Sequence, residues 1–214
     1  MEAKICGVKN SKTLNYIINH NFAPKYIGFI CNYPKSKRNI KYKNLKNLIK
    51  INKKKTKFVA VLVKPQKRIL EMIKDLKFDF YQLYNVTPDK TKMIKKKYKK
   101  KIITALTISS QKDVYKYNKY KKISDIILFD GKGYENSIGF DHSFIINIPK
   151  NVKKMLAGNI KYNDNLEKFI KITDIIDLSG SLETNGNKDF KKINIFLKNL
   201  NKINVKNKKK NSIN

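Results

Sequence analysis

KFVAVLV, residues 57–63, is apolar from its second residue to its last. An uninterrupted run of β-branched and aromatic residues suits a strand covered on both faces, as in a parallel sheet flanked by helices. Similar runs recur on either side: AKIC (3–6), YIGFIC (26–31), FDFYQLY (78–84), KIITALT (101–107), DIILFD (125–130), VKKMLAG (152–158) and IIDLSG (175–180). With 57–63 they make eight predicted strands.

The intervening segments carry helical spacing. Leu45, Leu48 and Ile49 share one face, as do Ile69, Leu70 and Ile73, then Leu166, Phe169 and Ile170, then Phe190, Ile193, Leu197 and Leu200. Thr87-Pro88 places proline at a first helical position, and Asn163 is in place to cap the seventh helix. Eight strand–helix units within residues 1–201 predict a single-domain (β/α)8 TIM barrel, shorter than the usual ~250 residues. A doubly wound open sheet is the competing architecture. It usually has fewer strands and a glycine fingerprint after the first, whereas this chain reads Cys6-Gly7-Val8-Lys9 there. Residues 202–214, KINVKNKKKNSIN, are expected to form a basic, polar, frayed tail.

The chain has 214 residues, with 49 Lys plus Arg against 16 Asp plus Glu, a formal charge of +33. Such an excess invites a nucleic-acid reading. Its distribution argues otherwise, because the lysines are spread over nearly every segment and only Arg38 and Arg68 are arginines. The expected partner is therefore a small anionic molecule drawn by the general field, with no specific nucleic acid. At 41% hydrophobic residues the chain can build a core. Cys6 and Cys31 give no disulfide framework, and His20 and His142 no zinc spacing, so no metal site is expected. No apolar run approaches the ~18 residues of a membrane span, and MEAKICGVKN lacks a secretory core. The expectation is a cytoplasmic protein without a membrane partner.

In a barrel, chemistry sits at the carboxyl ends of the strands. That rule singles out Cys6, Cys31 with the loop behind it, Gln82, Asp130, Gly158-Asn159, and Asp177 through Gly180-Ser181.

Taken in order, KICG (4–7), IGF (27–29), YPKSKR (33–38), VAVLVKP (59–65), YQLY (81–84), ILFD (127–130), FDHSFI (140–145), LAG (156–158), DLSGSLE (177–183) and GNKD (186–189) resemble the phosphoribosylanthranilate isomerases of tryptophan biosynthesis. The resemblance runs from the first strand to the last helix. It implies an Amadori rearrangement, in which an N-linked aminoaldose becomes an aminoketose without redox chemistry, so no cofactor is expected. It implies Cys6 as general base and Asp130 as general acid. Arg38 would meet the anthranilate carboxylate with its two-donor fork. Gly158, Asn159, Gly180 and Ser181 would present backbone amides to the phosphate. Gln82 and Asp177 are further substrate-binding candidates, with packing or loop-fixing as the other reading. Cys31 falls outside the matched motifs and reads as structural, as does His142, which stands within FDHSFI where the family often has an aromatic. The loop GYENSIGF (133–140) departs from the family's GGTGxxF-like stretch.

Two alternatives stand beside this reading. One is a barrel isomerase for another sugar phosphate, as in histidine biosynthesis, where an aspartate generally replaces the cysteine at position 6. The other is a basic nucleic-acid-binding protein. Family members occur as monomers and homodimers, and the sequence does not choose between them.

Overall fold

The computed structural model describes residues 1–132 and 138–211. Strands β1 (Glu2–Cys6), β2 (Tyr26–Ile30), β3 (Lys57–Val63), β4 (Phe80–Tyr84), β5 (Lys101–Ile108), β6 (Ile126–Gly131), β7 (Lys154–Leu156) and β8 (Ile175–Leu178) pair in chain order, and β8 returns to β1 to close a parallel barrel. The predicted (β/α)8 architecture is the one observed.

The 57–63 run shows why these strands lack polar alternation. On β3, Phe58, Ala60 and Leu62 point outward into the layer between strands and helices. Val59 and Val61 point inward, joining Phe80, Ile103, Leu128, Met155 and Ile175 in a separate inner core. Both faces are thus desolvated, and each large side chain fully buried there contributes about 1.5–3 kcal/mol.

The helices follow their capping signals. Helix α1 (Ser11–Asn19) begins at Asn10, whose side chain accepts from the Thr13 amide at 2.8 Å. Helices α2 (Tyr42–Leu48) and α3 (Lys67–Ile73) bury Leu45, Leu48, Leu70 and Ile73. Thr87 caps α4 (Pro88–Tyr98) with proline in its first turn. Helix α5 (Gln111–Val114) is a single turn held by a Ser110–Asp113 capping box.

After β6 and β7 the connections shrink to 3-10 turns, His142–Ile145 and Leu166–Phe169, and this is how a barrel fits so short a chain. Asn165, two residues past the expected Asn163, caps the second of these turns and accepts from the Glu167 amide at 3.0 Å.

Helix α6 (Phe190–Asn211) continues well beyond residue 201, where the sequence predicts a frayed tail. The reason is that its apolar stripe continues: Ile193, Phe196, Leu197 and Leu200 are followed by buried Ile203. Asn204 then clasps the amino terminus, accepting from the Met1 ammonium and donating to the Met1 carbonyl, both at 2.9 Å. Among the described residues no helix is long and apolar enough to cross a membrane. Of the divergent loop GYENSIGF, residues 133–137 lie outside the described residues.

Candidate active site

A cavity of about 670 Å3 opens at the carboxyl ends of the strands, and Cys6, Arg38, Tyr84, Asp130, Gly158, Asn159, Asp177, Gly180, Ser181 and Glu183 all line it. Strand periodicity puts them there. Lys4 and Cys6 lie on one face of β1, and Gln82 and Tyr84 on one face of β4. Asp130 and Asp177 end the inward rows of β6 and β8.

Cys6 sits beside Gly28 of β2, and the pairing leaves the sulfur its space: a Cβ on Gly28 would stand 2.8 Å from Cys6 Sγ and 3.2 Å from Lys4 Nζ. Lys4 is completely buried, and its ammonium lies 2.6 Å from Asp177 Oδ2 across the closing pair of strands. Burial works to strip its proton, but Asp177 and Cys6 outweigh burial and hold it charged. Burial also pushes the Cys6 thiol up, while Lys4 pulls it back toward ionisation. Asp177 keeps its second oxygen, Oδ1, buried and without a hydrogen-bond partner among the described residues.

Asp130 presents the complementary group. Burial, aided by the charge of Asp177, pushes its carboxyl up to about 6 against the opposing pull of the Tyr84 hydroxyl and Lys4. Its proton is therefore available near neutrality. Tyr84 donates to Asp130 Oδ2 at 2.8 Å, and Gln82 Nε2 donates to the Tyr84 oxygen at 3.3 Å. Gln82 itself is fully buried behind Tyr84 and is not part of the cavity wall.

Arg38 crosses above Gly7, whose positive φ of 75° and missing side chain make room: a Cβ there would meet Arg38 Cδ at 2.5 Å. The guanidinium grips Glu183 with Nε at 2.7 Å and one Nη at 2.8 Å. Lys188 joins the same carboxylate at 2.7 Å and donates to the Ser179 carbonyl at 3.0 Å. Glu183 and Lys188 come from a small hairpin, β9 (Glu183–Thr184) and β10 (Asn187–Lys188), that follows β8. Burial works to raise the Glu183 carboxyl, but the two cations outweigh it and hold it below the usual range. Burial lowers Lys188.

The amide-bearing turns complete the rim. Gly158 and Asn159 adopt φ of 94° and 55°, a left-handed pair that asparagine tolerates. His142 fixes this turn: its Nε2 donates to the Gly158 carbonyl at 3.0 Å while its ring packs edge-on against Phe140 and Phe169. Past β8, Gly180–Leu182 forms a 3-10 turn, and Ser181 Oγ is buried without a partner among the described residues. Cys31 lies outside this cavity, its thiol donating to the Phe29 carbonyl at 3.1 Å.

The cavity gathers Cys6, Asp130, Arg38, Asp177, Gly158, Asn159, Gly180 and Ser181, and leaves Gln82 one layer below. Sequence reasoning missed Lys4, Tyr84, Glu183 and Lys188. For the first two a signal existed, since each shares a strand face, two residues away, with a residue already singled out.

A closed barrel whose mouth brings a buried thiol and a carboxyl raised toward neutrality to one cavity belongs to the class of (β/α)8 barrels with titratable groups gathered at the strand ends. Comparison with known proteins makes the class specific. The profile of the family described as N-(5'phosphoribosyl)anthranilate (PRA) isomerase matches residues 3–199, and the chain belongs to that family. The N-(5'-phosphoribosyl)anthranilate isomerase of Thermoanaerobacter pseudethanolicus is 30% identical over 203 residues, covering 92% of this chain and 96% of the relative. That of Rhizobium rhizogenes is 31% identical over 207 residues, covering 91% of each. Among solved structures, phosphoribosyl anthranilate isomerase from Thermotoga maritima superimposes with a TM-score of 0.81 at 23% identity, covering 93% of this chain and 98% of that one. A structure of the isomerase with reduced 1-(o-carboxyphenylamino)-1-deoxyribulose 5-phosphate gives 0.80 at 22% identity, covering 93% of this chain and 97% of that one.

Proposed function

We propose that this chain converts N-(5-phosphoribosyl)anthranilate to 1-(2-carboxyphenylamino)-1-deoxyribulose 5-phosphate, as a cytoplasmic enzyme of tryptophan biosynthesis. The observation that supports it most is that Cys6 and Asp130, from strands on opposite sides of the barrel, line one cavity.

Asp130 gives its proton to the furanose ring oxygen. The bond from that oxygen to C1 breaks, and the anthranilate nitrogen lends its lone pair to form an iminium. Cys6, as thiolate, removes the C2 proton, and the electron pair left behind moves to give an enolamine. Protonation at C1 and loss of the hydroxyl proton at C2 then give the ketone. The order suits the electrostatics. Burial disfavours the thiolate in the ligand-free cavity, where Lys4 and, further off, Lys188 oppose it. The iminium formed in the first step adds a positive charge when the base is needed.

The two-donor fork of Arg38, expected to meet the anthranilate carboxylate, is turned to Glu183 instead, so in this reading the guanidinium serves the anthranilate carboxylate as a positive edge. The turns at Gly158-Asn159 and Gly180-Ser181 offer amides to the phosphate. Asp177 Oδ1 is left to accept from a sugar hydroxyl. The mouth is built for one small anion, and specific nucleic-acid recognition has no part in this reading.

Cys6→Ser and Asp130→Asn, each checked for native circular dichroism, are expected to lower turnover of the purified substrate by about 10²–10⁴-fold. Near-parental rates in both would reject the assignment. Retained activity on a different aminoaldose phosphate, with none on the anthranilate compound, would favour the other barrel isomerases.

A further inference from the structure

The hydrogen bonds around Asp130 have a direction. Gln82 and Tyr84 alternate on β4, so both face the barrel interior, and the Gln82 amide donates to the Tyr84 oxygen. A phenol carries a single proton, and Tyr84 directs it to Asp130 Oδ2 at 2.8 Å. Burial, with the charge of Asp130 added, keeps that phenol far above its ordinary range, so it keeps its proton and donates near neutrality.

We propose that Tyr84 is a positioning residue for the acid: by filling Oδ2 it confines the transferable proton of Asp130 to Oδ1, and Gln82 holds Tyr84 in that role. This rests on the reading of Asp130 as the general acid. Two consequences follow from the geometry. The proton is presented from one defined oxygen, which fixes its line of approach to the sugar ring. As the carboxylate forms in the transition state, the hydrogen bond becomes charge-assisted and strengthens, so it favours the transition state over the ground state. Other groups acting on Asp130 are Lys4 from β1 and Asp177 from β8, with the Gly131 amide from its own strand. Cys6 adds its charge through Tyr84, and the neighbouring β5 sets Thr107 alongside.

The test is Tyr84→Phe, which removes one oxygen and keeps the ring. In ligand-free protein labelled with 13C-carboxyl aspartate, the Asp130 signal, assigned by its loss in Asp130→Asn, is expected to titrate about one pH unit higher in the variant. The alkaline limb of kcat/KM should move up equally, while kcat falls roughly tenfold with KM little changed. Gln82→Met, of similar volume and an alternative if the first variant folds poorly, should shift both readouts in the same direction by less. An unmoved Asp130 titration in folded Tyr84→Phe would overturn the proposal. A shifted titration together with full turnover in Asp130→Asn would instead overturn the acid assignment and leave the link between the two residues standing.

Discussion

Lys4 Nζ lies 2.6 Å from Asp177 Oδ2, joining the first strand of the barrel to the last in a pair with no solvent contact on the lysine side. Two buried ions are tolerable only while each has the other, and removing one leaves an uncompensated charge at a cost of about 3–5 kcal/mol. Lys4→Met should therefore lose stability of that order in urea unfolding at neutral pH. The ammonium also favours the Cys6 thiolate, so its removal raises the thiol further. In a Cys31→Ala background, the pH midpoint for alkylation of Cys6 should move upward in Lys4→Met. A midpoint at or below the parent's would show that Lys4 does not act on the thiol.

Asp130 carries a stability cost with a defined pH dependence. Its folded value, about 6, exceeds the ordinary 3.8, so the folded state holds the proton more tightly than the unfolded state does. Stability linked to that proton is present below about 4 and lost as pH rises through about 6. Asp130→Asn should match the parent near pH 3.5 and exceed it above pH 7, by up to roughly 3 kcal/mol. Denaturant midpoints across pH provide the measurement, and an equal gap at both ends would refute the burial argument.

Gly28 makes room for the base. An added methyl would overlap Cys6 Sγ and press on Lys4. Gly28→Ala should fold with a loss of about 1–3 kcal/mol from overpacking. It should also lose at least about tenfold in kcat, since a displaced base misses its line to C2. Parental kcat with normal stability would mean that the sulfur has slack.

Arg38 and Glu183 form a two-bond fork that an ammonium cannot reproduce. Arg38→Lys is expected to raise KM for the anthranilate substrate by about tenfold or more, roughly 1.4 kcal/mol per decade. A substrate series would locate the effect: an analogue lacking the ring carboxylate should bind parent and variant alike. Equal losses for both compounds would assign Arg38 to loop structure alone.

The barrel was legible because its strands are desolvated on both faces. A run such as 57–63 suits neither an exposed nor a half-exposed element, and the order of motifs from KICG to GNKD supplied the residues at the mouth. Other features follow from geometry that spacing carries only in part. Lys4 and Tyr84 sit two residues from Cys6 and Gln82, so alternation placed them inward. A lysine in so lysine-rich a chain, and a tyrosine in an apolar strand, gave no contrast of composition. Glu183 and Lys188 depend on a two-residue-per-strand hairpin too short to leave a pattern. Gln82 was open between substrate binding and packing, and it lies buried behind Tyr84, because strand-end position does not reveal how deep a side chain lies. The stop of α6 was set too early for the opposite reason: lysines obscured a stripe that Ile203 still continues.

Closure of β8 onto β1 has a consequence for biogenesis. The first and last strands clasp through residues 173 positions apart, so a nascent chain still missing its eighth strand has no partner for Lys4 and no finished pocket around Cys6. Early release from the ribosome would yield a polypeptide without catalytic capacity and with an open, adhesive sheet edge. The finished pocket therefore depends on two segments far apart along the chain meeting across the closing seam.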